Sequence, residues 1–187
     1  MKGLLQFGFE VAKVVVIALV IVVPLRVFVF QPFLVRGDSM EPNYHNGDYL
    51  IVDQISYRLR SPERGEVIVL KFPFDTSQRF IKRIVGLPGE TVEVKDNKVV
   101  VYEREHVARG AKVLDESEYL TQSLDTPGSV RIDLAEQEYF VLGDNRVFSS
   151  DSRKWGVLEK ELIVGRVFFN VFSLEAFAKE IIPKEAY

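Results

Sequence analysis

The sequence predicts a mostly β domain, of the barrel or sandwich type, preceded by one membrane-spanning helix. The body of the chain consists of short apolar runs separated by turn residues, without long amphipathic helices between them, which is typical of all-β folds. An apolar run near the amino terminus has the length that crossing a bilayer requires. The 187 residues suffice for one domain with its own core and an appendage. We therefore expect a tail at residues 1–10, an anchor at 11–30 and a β-rich domain at 31–187.

The predicted anchor centres on the apolar run "VVVIALVIVVPL" at residues 14–25. This run is short for a span, but residues 11–30 reach about twenty, with Lys13 and Arg26 near the ends. Both cations can extend to the lipid–water interface. A cleavable signal peptide is the main alternative, and it would need a small-x-small site soon after the apolar run. The following sequence, "RVFVFQPFLVRG", offers none, so we expect an anchor that stays attached.

The charge distribution predicts the orientation of the chain in the membrane. Lys2, Lys13, Arg26 and Arg36 against Glu10 give residues 1–36 a charge of +3, and the chain total of −3 leaves −6 for the body. The positive-inside rule places the tail, with Lys2 and Lys13, in the cytoplasm. The body then lies on the outer face of the plasma membrane. Its acidic balance argues against nucleic acid as a partner.

Composition excludes several kinds of site. The chain has no cysteine, which rules out disulfides, thiol catalysis and cysteine-based metal sites. Its two histidines, His45 and His106, are far apart in the sequence and have no carboxylate cluster nearby. We therefore expect no cysteine- or histidine-based metal site.

The order of strands follows from apolar runs and turn signals. Asp96-Asn97 between two valine-rich runs predicts a hairpin. Residues 103–130 are polar and irregular, and we expect a surface excursion there. The predicted strands are 49–55, 66–72, 79–85, 91–94, 98–103, 136–142 and 162–172.

Ser39 stands in "GDSMEP", where the apolar segment meets the polar body. Gly, Asp, Ser and Pro all favour turns, so these residues alone favour a turn serine over a reactive one.

Lys82 lies in the predicted strand "RFIKRIV". Side chains alternate along a strand, so Phe80, Lys82 and Ile84 share one face, whereas Arg83 lies on the other. A lysine between apolar neighbours loses hydration, which lowers its pKa and allows the neutral amine to act as a general base. A lysine that reaches solvent at the sheet rim is the simpler interpretation, and Lys71 has similar surroundings. Spacing alone does not choose among them.

The stretch "GDNRVFSSDSRKWG" at residues 143–156 is dense in hydroxyls and charges. Asp151 and Arg153 can pair, and Asp144 can pair with a nearby arginine. A solvated loop is the simpler interpretation. Because glycines bound the stretch and an apolar strand precedes it, we expect a loop held by its own polar network.

Taken together, these stretches resemble the type I signal peptidases, membrane-anchored serine proteases with a Ser–Lys dyad. "GDSMEP" resembles the nucleophile box, and "GDYLIV" and "RGEVIVLKFP" resemble the strands that follow it. "FIKRIVGLPGE" resembles the general-base box, "GDNRVFSSDSRKWG" the family's most recognisable signature, and "GRVFF" the closing strand. Several boxes in the same order are a far more specific signal than any one of them.

The resemblance implies roles for individual residues in a signal-peptidase-like β fold. It implies that Ser39 is the nucleophile, that Lys82 rather than Lys71 is the general base, and that Ser149 orients the lysine amine. Phe33 and Val35 match the strand that lines the small substrate pockets, and Met40 follows the nucleophile as in the family. The residues implied to shape the site or its oxyanion hole are Gly37, Asp38, Met40, Arg83, Asp144, Arg146, Asp151 and Arg153.

Three positions depart from the family pattern. Gly37 stands where some members have an oxyanion-stabilising hydroxyl, so the backbone N–H of Ser39 has to serve instead, with a second backbone donor or a water. Asn43 replaces the usual Thr after the proline, and "VDQ" replaces a more typical Val-Asn-Lys. We expect the last two changes to alter local hydrogen bonds and to leave the chemistry intact.

The resemblance implies an endopeptidase that removes signal peptides from exported preproteins after a small-x-small site, without metal or cofactor. The expected partners are those signal peptides, the lipid bilayer and, by proximity, the export translocon, for a monomeric enzyme. We expect His45, six residues after Ser39, to be dispensable. Two alternatives stay open: a self-cleaving Ser–Lys regulatory protease, and a non-enzymatic β module tethered to a membrane.

Overall fold

The computed structural model describes residues 2–24, 30–103, 111–120 and 125–171. After the amino-terminal helix, the regular structure of these residues is mainly antiparallel β. The elements are α1 (Lys2–Pro24), β1 (Phe30–Leu34), β2 (Tyr49–Asp53), α2 (Ser56–Leu59), β3 (Val67–Phe72), β4 (Asp75–Gly86), β5 (Glu90–Lys95), β6 (Lys98–Glu103), β7 (Lys112–Val113), β8 (Val130–Asp133), β9 (Glu138–Leu142), α3 (Ser152–Trp155), β10 (Leu158–Glu159) and β11 (Ile163–Val171). One 3₁₀ turn, Lys160–Leu162, precedes β11.

The amino-terminal helix covers only part of the predicted anchor. It begins at Lys2, well before residue 11, and its described part ends at Pro24. The predicted anchor residues 25–29 lie outside the described residues, and Phe30, which we assigned to the anchor, begins β1. Over the described residues, no helix reaches the combination of length and hydropathy needed to cross a membrane.

The larger sheet has seven strands in the order β1-β2-β11-β3-β4-β9-β10. Both of its faces are buried, because one apolar cluster includes Val35, Leu50 and Ile81 and a second includes Ile68 and Ile84. Among the described strands, β1 and β10 each have one neighbour, so the sheet is open. The barrel alternative is therefore wrong for the described residues, whereas the mostly β fold is confirmed.

The smaller sheet has four strands in the order β7-β6-β5-β8 and packs against the end of β4 through a third apolar cluster. Its central hairpin turns at Asp96 and Asn97, which have φ angles of 51° and 59°. Positive φ at both central residues is the turn geometry that matches the twist of the flanking strands, so the predicted hairpin is confirmed. Val85 of β4 and Phe140 of β9 connect this cluster to the larger sheet.

All seven predicted strands are present, with ends that differ by a few residues. The apolar runs did not indicate β1, β7, β8 or β10, although the resemblance placed Phe33 on a strand. Of these strands, β7 and β10 have only two residues each. We expected a surface excursion at residues 103–130, and the structure describes only part of that range. Residues 104–110 and 121–124 lie outside the described residues, but Leu120 and Thr126 are 7% and 1% exposed and belong to the interior.

Candidate active site

A groove of about 740 Å³ runs between β1 and β4. Phe33 and Val35, at the end of β1, form part of its wall, as the resemblance implied. Apolar side chains of the first cluster form much of the rest, and Ser39 and Lys82 both face it. The remaining lining residues are Leu34, Arg36, Gly37, Asp38, Leu50, Val69, Ser77, Gln78, Arg79, Phe80, Ile81, Phe148 and Ser150.

Residues 36–48 connect β1 to β2 and carry Ser39. We call this segment the nucleophile loop, after the role that the resemblance implies for Ser39. Met40 anchors this loop, because its side chain is 1% exposed and packs in the first apolar cluster. Gly37 has φ +86°, a left-handed conformation that favours glycine, and its N–H donates to Asn46 Oδ1 at 3.0 Å. Asp38 lines the groove through an exposed position. Within the described residues, the backbone N–H of Ser39 has no acceptor.

Lys82 and Ser39 are in direct contact across the groove. The Lys82 Nζ and the Ser39 Oγ are hydrogen-bonded at 2.8 Å, and Nζ also donates to the Ile81 carbonyl at 2.8 Å. Lys82 is 3% exposed, and its Nζ lies 5.4 Å from the centre of the Phe80 ring, on the face that the alternation predicted. Lys71, the rival lysine, pairs in register with Arg79 at the far end of β3.

Burial lowers the pKa of Lys82 to about 8, although the charges of Asp151 and Asp144 act in the opposite direction and raise it. An ammonium removed from water loses its hydration, and no carboxylate among the described residues forms an ion pair with Lys82 to replace it. A substantial fraction of the amine is therefore neutral near physiological pH and can accept a proton from Ser39.

Arg83, the next residue of β4, has a carboxylate partner. Its Nε and Nη2 donate to Asp144 Oδ1 and Oδ2 at 2.8 and 2.6 Å, a bidentate pair, and its Nη1 donates to the Gly65 carbonyl at 2.7 Å. Arg83 and Asp144 are 8% and 0% exposed. Burial alone would lower the pKa of Arg83, but the hydrogen bonds and charge of Asp144 raise it above its ordinary value.

Asp151 and Arg153 form the ion pair that the sequence suggested. Arg153 Nε and Nη2 donate to Asp151 Oδ1 and Oδ2, both at 2.8 Å, and the Gly143 N–H donates to Oδ2 at 3.1 Å. Asp151 also caps α3 by accepting from the Arg153 N–H. Burial alone would raise the pKa of Asp151, but the hydrogen bonds and charge of Arg153 hold it below its ordinary value.

The Ser149 hydroxyl is buried and has no hydrogen-bond partner among the described residues. The bond to the Lys82 amine that the resemblance implied is thus not formed here, because that amine contacts Ser39 and the Ile81 carbonyl. Ser149 nevertheless lies close to the Ser39 backbone. A Cβ added to Gly143 would lie 2.2 Å from Ser149 Oγ and 2.4 Å from the Ser39 carbonyl oxygen, so only glycine fits between them.

Arg146 does not reach the groove. It is 1% exposed, and its guanidinium forms an ion pair with Glu116 and donates to Thr126 Oγ1 on the other side of the loop. Its Nε donates to the Gly143 carbonyl at 3.1 Å. Arg146, like Arg83, Asp144, Asp151 and Arg153, therefore supports the loops that carry the site without lining the groove.

Sequence reasoning missed Asn145, which holds the nucleophile loop. Its backbone N–H donates to the Ser39 carbonyl at 3.1 Å, and its side-chain amide donates to the Asp38 carbonyl at 3.0 Å. The signal that could have identified Asn145 was its position directly after Gly143 and Asp144, in "GDN". Glu116 and Tyr119 were also missed, because their segment was interpreted as surface.

The chain is similar in sequence to known proteins. The family model described as "Signal peptidase, peptidase S26" matches residues 8–172. "Probable signal peptidase I-2" of Synechocystis sp. is 38% identical over 85% of this chain and 71% of its own length. Signal peptidase I of Bacillus licheniformis is 32% identical over 91% of this chain and 92% of its own length. A crystal structure of a signal peptidase I from Enterococcus faecalis V583 is 28% identical and superposes with a TM-score of 0.46, covering 58% of this chain and 97% of that one.

The matched residues 8–172 include the nucleophile loop, β4 and the loop at 143–156. Two relatives share 32–38% of their residues with this chain over most of its length. The chain belongs to the signal peptidase family, peptidase S26.

Proposed function

We propose that this chain is a serine endopeptidase that removes signal peptides from exported preproteins, with Ser39 as nucleophile and Lys82 as general base. The contact of 2.8 Å between Nζ and Oγ carries the proposal, because the two groups line a groove and the lysine is buried without a carboxylate partner among the described residues. Curated relatives named signal peptidase I support the substrate class.

Acylation begins when the neutral Lys82 amine takes the proton of the Ser39 hydroxyl. The Ser39 oxygen forms a bond to the scissile carbonyl carbon, and the carbonyl electrons move to oxygen. When the tetrahedral intermediate collapses, the C–N bond breaks and the Lys82 ammonium protonates the leaving amine. A water then gives a proton to Lys82 as its oxygen attacks the ester carbon. When this second intermediate collapses, the bond from carbon to the Ser39 oxygen breaks and the Lys82 ammonium returns the proton to Ser39 Oγ. The signal peptide leaves as a carboxylic acid, which loses its proton to solvent.

The Ser39 backbone N–H is the first donor of the proposed oxyanion hole. It has no acceptor among the described residues, so it is available to the developing negative charge. Removing one such donor costs about 2.7–4 kcal/mol of transition-state stabilisation in other enzymes. The Gly37 N–H is not available as a second donor, since Asn46 accepts from it.

The groove wall fits small side chains beside the scissile bond. Val35, Leu50 and Ile81 are nearly fully buried there, and Phe33 packs against them. A wall of this kind admits an alanine methyl group, whereas a larger side chain would have to displace close-packed neighbours. This supports cleavage after a small-x-small pattern.

We also propose that the amino-terminal segment tethers the domain to the bilayer, with the tail inside and the groove on the outer face. The support is the apolar run at residues 14–25 and the exposure of α1, in which Phe9 and Val14 are 70% and 64% exposed. Apolar side chains exposed along a whole helix gain free energy when lipid covers them. A monomer that works near the export translocon fits the same arrangement.

The test is cleavage of a preprotein with an Ala-x-Ala site by the purified chain in detergent. Wild type should release the signal peptide, Ser39→Ala should not, and His45→Ala should behave like wild type because His45 is exposed and does not line the groove. Cleavage by Ser39→Ala, or its loss in His45→Ala, would contradict the dyad. Mass spectrometry of the enzyme chain itself would reveal self-cleavage, the alternative activity.

A further inference from the structure

Tyr119 and Glu116 form a contact, here called the latch, behind the candidate active site. The Tyr119 carbonyl accepts from Asn43 Nδ2 at 2.8 Å, and Asn43 belongs to the nucleophile loop. The Arg83 guanidinium stacks on the Tyr119 ring at 4.1 Å. The Tyr119 hydroxyl donates to Glu116 Oε1 at 2.7 Å. One tyrosine thus contacts both the loop that carries the nucleophile and the strand that carries the base.

Glu116 extends the latch to the third part of the site. Its Oε2 accepts from Arg146 Nη1 at 2.7 Å, and Oε1 accepts from Nη2. Arg146 in turn donates to the Gly143 carbonyl at 3.1 Å. Gly143 lies between the Ser149 hydroxyl and the Ser39 carbonyl. A shift of Glu116 would therefore reach the backbone that supports Ser39.

Asn43 connects the latch to the Arg83–Asp144 pair. Its Nδ2 donates to Asp144 Oδ2 at 2.8 Å as well as to the Tyr119 carbonyl. The two donations use both hydrogens of the amide, so the loop position is specified by two fixed acceptors. A threonine, the more usual residue here by resemblance, has one hydroxyl donor and cannot make both bonds.

Burial, together with the charge of Glu116, raises the pKa of Tyr119, so the phenol remains protonated and continues to donate over the working pH range. The Glu116 carboxylate accepts from both Tyr119 and Arg146, so its charge is compensated inside the fold. These conditions favour a rigid contact over an adaptable one.

We propose that Tyr119 is a positioning residue of the peptidase reaction, which holds Ser39 and Lys82 in reacting geometry through Asn43, Arg83 and Glu116. The inference rests on the proposed function. Neither latch residue lines the groove, so the latch acts on the alignment of the dyad and leaves substrate contacts unchanged. A displacement of about 1 Å in a reacting group can cost on the order of a hundredfold in rate.

Tyr102 provides a matched control in the smaller sheet. Its hydroxyl donates to Glu93 Oε2 at 2.5 Å and the Arg131 guanidinium stacks on its ring at 4.6 Å, the same side-chain pattern away from the groove. We expect Tyr119→Leu to lower kcat for preprotein cleavage at least about tenfold with KM unchanged. Tyr102→Leu should leave both constants near wild type. Tyr119→Phe, which keeps the ring against Arg83 and loses only the hydroxyl, should restore most of kcat.

Thermal unfolding of each variant, with kinetics well below the lowest melting temperature, separates positioning from folding. A double-mutant cycle of Tyr119→Leu with Glu116→Ala should be non-additive, because both remove the bond between the Tyr119 hydroxyl and the Glu116 carboxylate. Equal kcat values for Tyr119→Leu and Tyr102→Leu would overturn the proposal, as would a loss confined to KM or an additive cycle.

The rate at which a serine-directed fluorophosphonate labels Ser39 provides a readout independent of the preprotein. Labelling should fall with kcat in Tyr119→Leu and stay at the wild-type rate in Tyr102→Leu. If wild type fails to cleave preprotein, the proposed function is wrong, while a selective fall in labelling would still support the latch. Equal labelling rates in wild type and Tyr119→Leu would overturn the latch whatever the substrate.

Discussion

The two faces of β4 bury adjacent cations in opposite electrostatic surroundings. Lys82 and Arg83 are 3% and 8% exposed, so both lose most of their hydration. Arg83 recovers that loss through a bidentate pair with Asp144, which raises its pKa. Lys82 faces Ser39 and a backbone carbonyl, and burial lowers its pKa to about 8. One strand therefore holds a permanent charge on one face and a proton acceptor on the other.

The difference between the faces lies in where the carboxylates are. Asp144 and Asp151 are both fully buried near the site, and each is paired with an arginine, Arg83 or Arg153. Their charges act on Lys82 only through space, and burial outweighs them. A buried ion pair is weak evidence for stability, but here the two pairs keep the carboxylates from pairing with the Lys82 amine. Replacing either partner should therefore affect the lysine as well as the fold.

The largest expected effect comes from replacing Lys82 with arginine, so that both faces of β4 carry a permanent positive charge. Lys82→Arg keeps the positive charge, but a guanidinium does not deprotonate in proteins. Preprotein cleavage should fall at least about a thousandfold, the range expected for loss of a general base. Lys71→Arg is the matched control on the neighbouring strand and should remain active. Cleavage by Lys82→Arg at the wild-type rate, measured by release of the signal peptide, would exclude the Ser–Lys assignment.

The second prediction removes the partner on the ion-pair face. Asp144→Asn leaves Arg83 buried and unpaired, which should lower the free energy of unfolding by about 3–5 kcal/mol. Glu93→Gln, which breaks the exposed pair with Arg131, should cost less than about 1 kcal/mol. Denaturant unfolding measures both. The double variant Arg83→Met/Asp144→Leu should recover most of the lost stability, because it leaves no unpaired charge. If the double variant is as unstable as Asp144→Asn, the ion pair itself adds net stability to the fold.

Much of this comparison could be predicted from local pattern. The alternation in "RFIKRIV" separates Lys82 from Arg83 and places Phe80 beside the lysine, and the structure confirms both points. The turn at Asp96-Asn97 is likewise a local signal, since the required positive φ is set by the residues themselves. Lys82 and Ser39, in contrast, are 43 positions apart, and only the resemblance related them before the fold was known.

The rest depends on tertiary contacts that local pattern does not contain. Phe30 continues an apolar run, so its segment was assigned to the anchor, but cross-strand pairing with Asp53 makes it the start of β1. Glu116 and Tyr119 stand in a polar segment typical of a surface loop. Their partial burial follows from tertiary contacts: Glu116 pairs with Arg146, whose charge would otherwise be unpaired and costly inside the fold, and the Tyr119 ring packs against the Arg83 guanidinium. The missing Ser149–Lys82 bond also reflects exact side-chain placement, which spacing does not determine.

The third prediction concerns stability on the catalytic face. The ordinary pKa of 10.5 and the folded value of about 8 mean that holding Lys82 protonated in the fold costs about 3 kcal/mol. Because the folded pKa is the lower one, the unfolded chain binds more protons between about pH 8 and 10.5, and stability rises with pH across that window. Lys82→Met should therefore be more stable than wild type at pH 7.

The stability gain of Lys82→Met should shrink as pH rises from 8 towards 10.5, since wild-type Lys82 then loses its proton in both states. Denaturant unfolding at several pH values measures it, and Lys71→Met corrects for removing a lysine elsewhere in the same sheet. A gain that stays constant across the window would mean that packing, and not the charge, causes it.

The smallest expected effect is the dependence of the wild-type reaction on pH. Only the neutral Lys82 amine accepts the Ser39 proton, and its pKa is about 8. Values of kcat/KM should therefore rise about tenfold per pH unit below 8 and level off above it. Initial rates of preprotein cleavage between pH 5.5 and 9.5, in buffers of constant ionic strength, measure the profile.

Asp144→Asn should move the bend of this profile to lower pH, because it removes a negative charge that raises the pKa of Lys82. The variant also leaves Arg83 unpaired, so the shift is measured on the fraction of the protein that stays folded. A different outcome would be a bend at about pH 6.5, the ordinary histidine pKa, that disappears in His45→Ala. The titrating group would then be His45 and not Lys82, and the difference between the two faces of β4 would not explain the pH dependence.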